Sequence, residues 1–155
     1  MDAADFRAAN RGPVQPGSAG QTADLVAVYQ LARRYALGVD SRDDDLVRSV
    51  FADDAVAEGM AGKAPIGDYL TKLMASVQRY EATMHNITNQ YAVLDGDVGT
   101  VWSYCVAIHT ESADSDRADL TVGVTYRDQV RRDAAGWVIT ARKAVPTFVR
   151  GPLNV

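Results

Sequence analysis

Residues 83–110 read TMHNITNQYAVLDGDVGTVWSYCVAIHT. From Thr83 the apolar period changes from the helical value near 3.6 to two, and Asp95-Gly96-Asp97 in the middle is a hairpin turn signal. The pattern predicts a strand from His85 to Leu94 and a return strand from Val98 to Thr110. One face of the return strand carries Val101, Ser103, Cys105, Ala107 and His109, and the other carries Trp102, Tyr104, Val106 and Ile108. The small-residue face leaves room for a ligand. The bulky face needs covering by a helix or a second subunit, and alternation alone does not say which face points inward. With the bulky face outward, a homodimer or homotrimer is its simplest cover.

Downstream, a polar loop from Glu111 to Arg117 precedes a third strand from Leu120 to about Arg131. Ala134-Ala135-Gly136 then turns into a fourth, from Trp137 to about Val145. Upstream, the apolar stripe Leu25, Val28, Tyr29, Ala32, Tyr35, Ala36 predicts a helix from Thr22 or Asp24 to about Leu37, weakened at Gly38. A short second helix follows with Leu46, Val47, Val50 and Phe51 inward. A strand ends near Glu58-Gly59, and Pro65 opens a third helix through Ile66, Tyr69, Leu70, Leu73, Val77 and Tyr80. Helices first and a long meander after them make an α+β fold: a curved antiparallel sheet wrapped around three N-terminal helices, with a pocket between the layers.

Asp40 lies four residues after Ala36 and so continues the buried stripe. A carboxylate there needs a partner or a shifted pKa. It is either an N-cap for the second helix, a task Ser41 or Asp43 can also perform, or a functional acid. The chain has two histidines, His85 and His109, both in predicted strands. Acid and imidazoles together can make a proton-transfer site. Cys105 and His109 lie roughly 13 Å apart along one strand, too far for a nucleophile and base pair. Asp40, His85 and His109 have the composition of a two-His, one-carboxylate metal site, but no local spacing supports one.

A length of 155 residues suits one domain, read as 22–155 after a flexible tail at 1–21 that Phe6 could tether. The 47% hydrophobic content supplies a core. Net charge −4 and a pI near 5.0, without a dense basic face, argue against nucleic-acid and anionic-membrane partners. A single cysteine suits a reducing cytoplasm, and no apolar run approaches the ~20 residues of a membrane span.

The chain resembles the SnoaL-like group within the cone-shaped fold shared by nuclear transport factor 2, scytalone dehydratase and ketosteroid isomerase. The resemblance is carried by Arg34-Tyr35-Ala36-Leu37-Gly38-Val39-Asp40-Ser41-Arg42-Asp43, Phe51-Ala52-Asp53-Asp54-Ala55 and Met84-His85-Asn86-Ile87. It continues through Leu94-Asp95-Gly96-Asp97, Tyr126-Arg127-Asp128 and Gly136-Trp137-Val138-Ile139. It implies His85 as general base, Asp40 as the group fixing its tautomer, and Tyr35, five residues before Asp40, as a further catalytic side chain. It also implies a second histidine, His109, and a late arginine, Arg142 with Arg150 as alternative. With these, Tyr104, Asn86 and Phe51 are the expected substrate contacts. The implied chemistry is a lyase, isomerase or cyclase acting without cofactor on a small apolar ring compound. A non-catalytic binding or assembly module of the same fold is the alternative.

Overall fold

The computed structural model describes residues 1–14, 16–60 and 62–152. Residue 15 of the expected tail and residues 153–155 at the end of the expected domain lie outside the described residues. Among the described residues, four helices, α1 (Ala3–Ala9), α2 (Ala19–Ser41), α3 (Asp44–Ser49) and α4 (Ile66–Val77), accompany six strands. These are β1 (Phe51–Gly59), β2 (Gly62–Pro65), β3 (Ala82–Asp95), β4 (Val98–Thr110), β5 (Leu120–Asp133) and β6 (Gly136–Arg150). They form one curved, unclosed sheet in the order β2-β1-β6-β5-β4-β3, the α+β cone anticipated from the sequence. The sheet is not wholly antiparallel, because β1 runs parallel to β6, a pairing that strand pattern cannot reveal. The short strand β2 is also additional, and Pro65 ends it as the N-cap of α4 rather than opening the helix.

The expected tail contains a helix. Asp2 caps α1 by accepting from the N–H groups of Ala4 and Asp5, and Phe6 is buried in a stack on Trp102 at 4.4 Å and 9°. Sequence periodicity misses a seven-residue helix held by one aromatic anchor. Helix α2 also starts earlier than expected, at a complete capping box between Ser18 and Gln21. It ends later too, because Gly38 does not terminate it. Gly38 instead admits α3: a Cβ there would stand 2.7 Å from Val47 Cγ2 and 2.8 Å from the Val47 backbone nitrogen. Asp43, not Asp40, caps α3 by accepting from Leu46 N–H at 2.9 Å.

The sheet settles which face of β4 points inward. Val101, Ser103, Cys105 and Ala107 are buried against the helices, whereas Tyr104 and Ile108 are exposed and Trp102 is half-covered by Phe6. The core joins α2, α3 and α4 to this small-residue face through Val28, Leu31, Val39, Val47, Ile66 and Leu70. Met84, Tyr91 and Phe148 join Tyr104 and Ile108 among the large apolar side chains left exposed. Among the described residues, no helix is long and apolar enough to cross a membrane.

Candidate active site

Asp40 occupies the last turn of α2 and faces β3. Because β3 is an edge strand, its N–H groups on the open side have no strand to bond to. Asp40 Oδ2 accepts the backbone N–H of His85 at 2.8 Å, so one carboxylate oxygen ties the helix to the sheet edge. Oδ1 lies 2.7 Å from His85 Nδ1 and accepts the Thr83 hydroxyl at 2.9 Å. Thr83 and His85 share a strand face by alternation, so both reach the same carboxylate.

Burial alone would raise the Asp40 pKa, but the His85 ring, the His85 N–H and the Thr83 hydroxyl outweigh it and hold the carboxyl below its usual value. An ionised carboxylate only accepts hydrogen bonds, so in the neutral form His85 carries its proton on Nδ1 and presents a lone pair on Nε2. That is the arrangement a general base requires. The His85 side chain is 5% exposed and that of Asp40 26%, so water reaches the pair from the Asp40 side.

His109 lies beside this pair, its ring centroid 5.6 Å from that of His85 at 79°. Burial, followed by the neighbouring His85, lowers its pKa, with a backbone hydrogen bond at Leu120 opposing. Its Nδ1 is buried without a partner among the described residues. Tyr80 packs on His109 at 4.9 Å. Among the described residues, no group of three His, Cys, Asp or Glu side chains converges as a metal site.

Tyr35 is buried behind the dyad, edge-on to His85 at 6.5 Å. Burial pushes its phenol well above the usual value, so it stays protonated and keeps an O–H to donate. Its environment extends away from the dyad: Tyr126 at 5.5 Å, Phe51 at 6.2 Å and the Arg142 guanidinium at 4.3 Å. Burial would lower the Arg142 pKa, but its bidentate pair with Asp128, at 2.8 and 2.7 Å, raises it. The register puts Asp128 and Arg142 level with Val101, whereas His85 is level with Ala107. The separation along β4 is roughly 20 Å at the backbone. Arg142 and Phe51 pack against Tyr35 instead of touching the dyad, and Arg142 Nη1 remains without a partner among the described residues. Removing one member of such a buried pair costs about 3–5 kcal/mol.

Two expected contacts point the wrong way. Tyr104 lies on the outer face, 41% exposed and packed on Tyr91 at 6.1 Å. Asn86 is also exposed and donates to the Val106 carbonyl at 3.2 Å. Each sits an odd number of positions from an inward residue of its own strand, so alternation excludes it once the inward face is known. Arg150 is exposed and lies over Phe148 at 6.0 Å. Asp128 went unrecognised in the sequence, although an acid among Val124, Tyr126 and Val130 on one face was its signal. Cys105, pushed up to about 11 mainly by burial, remains a thiol.

Open cavities lie elsewhere in the fold. One of about 560 Å³ between β2 and α4 is lined by Tyr69, Leu73, Lys63, Lys72 and Arg79 among others, with no carboxylate or imidazole. Another, of about 310 Å³, lies beneath the N-terminus beside Trp102 and Arg127. Neither brings an acid and a base together as Asp40 and His85 do.

The Asp40 carboxyl titrates lower folded than unfolded, so it contributes stability present above the unfolded carboxylate pKa and lost as pH falls through its depressed folded value. Thermal melts between about pH 5 and pH 2 should therefore show a shallower acid-side fall in Tm for Asp40→Asn than for wild type. Equal slopes would contradict the hydrogen-bonded, ionised state.

Residues 20–143 match the SnoaL-like domain family. Nothing among curated proteins matches the chain. Among solved structures, the Kfla4162 protein of Kribbella flavida is 25% identical with TM-score 0.76, over 84% of this chain and 95% of that one. A putative scytalone dehydratase of Novosphingobium aromaticivorans is 18% identical with TM-score 0.77, over 87% and 91%. The hexachlorocyclohexane dehydrochlorinase LinA-type3 of Novosphingobium barchaimii is 16% identical with TM-score 0.73, over 87% and 94%. The last two establish a shared fold. By the match over residues 20–143, the chain belongs to the SnoaL-like domain family.

Proposed function

We propose that the protein is a lyase or isomerase in which His85 removes a proton from carbon and Asp40 orients and electrostatically supports it. The observation that carries this reading is the 2.7 Å contact between His85 Nδ1 and an Asp40 carboxylate held below its usual pKa. In an elimination, His85 Nε2 takes the proton and the C–H electron pair becomes the new C=C bond. The leaving hydroxide or halide departs with its own pair. Asp40 stabilises the imidazolium formed, which afterwards releases its proton to water or to the departing hydroxide. Tyr35, protonated, and His109, whose rings both lie beside that of His85, are the candidate donors to an oxygen on which charge develops. A putative dehydratase and a dehydrochlorinase share the fold, and both names denote eliminations. In this reading the substrate is a small, largely apolar ring compound, such as a polyketide, steroid or terpenoid intermediate, met by the aromatic side chains beside the dyad.

One observation favours a second reading. Tyr35, Phe51, Tyr126 and Arg142 fill the space behind the dyad with side chains, as in a binding or assembly module that does no chemistry. Turnover separates the two. Assayed against hydroxylated and halogenated ring compounds, His85→Ala and Asp40→Asn should each lose at least ~10²-fold in kcat/KM while remaining folded at the assay temperature. Turnover unchanged in either variant contradicts the mechanism, and no turnover by the wild type on any of them favours the passive module.

The outward apolar face of β3 and β4 is the surface we propose for homo-oligomerisation as a dimer or trimer. Sedimentation equilibrium should show the oligomer for wild type and a monomer for Ile108→Lys. A monomeric wild type at micromolar concentration contradicts the proposal.

A further inference from the structure

Arg42 is the one non-glycine residue with positive φ among the described residues, at φ 61° and ψ 32°. A side chain with a Cβ adopts this left-handed conformation at a cost, so the contacts it gains there must offset it. As the C-cap of α2, Arg42 returns its own backbone N–H to Gly38 and Val39, a task that glycine performs more readily. The side chain does something glycine cannot. It folds back so that Nη1 donates to the Val39 carbonyl at 2.9 Å, the Asp40 carbonyl at 3.3 Å and Thr83 Oγ1 at 2.7 Å, while Nη2 donates to the Tyr80 carbonyl at 3.3 Å.

The first two contacts are ordinary neutralisation of a helix C-terminus. The Thr83 contact is not, because it fixes a proton. A guanidinium only donates, so Thr83 Oγ1 accepts from Arg42. The hydroxyl's single hydrogen is then free to point at Asp40 Oδ1, 2.9 Å away. That oxygen is also the one facing His85 Nδ1. Carboxylate torsions are broad and roughly two-fold, so without a second anchor on Oδ1 the Asp40 group can rotate within its well.

We infer that Arg42 and Thr83 are positioning residues of the dyad: Arg42 sets the direction of the Thr83 hydroxyl, and Thr83 holds Asp40 Oδ1 on the Nδ1–H of His85. The inference rests on reading His85 as the base. Its consequence is that the neutral His85 stays protonated on Nδ1, with the Nε2 lone pair turned toward the substrate. A purely structural Arg42 would behave otherwise: Arg42→Gly would suit the backbone and leave His85 untouched, and the near-isosteric Thr83→Val would do the same.

The test is ¹⁵N NMR of the imidazoles in the full chain without substrate. The chain has two histidines, so His109 serves as the internal control. Wild type should show His85 with Nδ1 protonated and Nε2 bare. Thr83→Val and Arg42→Gly should move the His85 nitrogen shifts toward a mixture of tautomers, and Thr83→Ser should restore the wild-type pattern. On an identified substrate, kcat for Thr83→Val should fall severalfold with KM unchanged. His85 nitrogen shifts in Thr83→Val identical to wild type would overturn the inference, as would a failure of Thr83→Ser to restore them. Thr83→Val carries the test alone if Arg42→Gly does not fold. Because the tautomer is read without turnover, a moved tautomer alongside a fully active His85→Ala would support the positioning role and sink the catalytic reading instead.

Discussion

An ionised carboxylate at the end of α2 is the constraint around which the rest of the structure is arranged. Left unpaired in a half-buried position, such a charge is costly to desolvate. Asp40 avoids this by accepting from three donors within 2.9 Å, all of them on β3. The same bonds occupy a backbone N–H on the exposed edge of the sheet, which would otherwise be free to pair with another chain. One side chain thereby docks the long helix, closes part of an edge strand and fixes the tautomer of a histidine.

The interior behind the dyad is built on a second, separate electrostatic solution. Arg142 and Asp128 form a bidentate pair across β5 and β6, and the flat guanidinium packs against Tyr35, Tyr126 and Phe51. Tyr35 belongs to both groups: it lies over Arg142 on one side and edge-on to His85 on the other. A well-packed cluster of this kind holds the helix at a fixed height above the sheet. Asp40 can then meet His85 without searching.

Much of this was legible in the sequence where a periodic pattern met a chemical exception. The stripe ending in Asp40, the change of period at Thr83 and the Asp95-Gly96-Asp97 turn located the helix, the meander and the dyad. What was missed depends on non-local geometry. The parallel pairing of β1 with β6 leaves no mark on either strand's alternation. Helix α1 is too short to declare a period and is held by Phe6 on Trp102. Tyr104 and Asn86 were expected at the site, yet alternation from His109 and His85 puts each on the opposite, outward face of its strand. Arg42 was hidden for a different reason: its importance lies in a left-handed backbone conformation and a contact forty-one residues away.

The central claim is that His85, supported by Asp40, takes a proton from carbon. The most direct measurement is ¹H NMR of deuterium wash-in from D₂O at the acidic C–H of a cyclic ketone incubated with the protein. The account predicts wash-in catalysed by the wild type and absent above background in His85→Ala. Wash-in at the same rate in both proteins would contradict it.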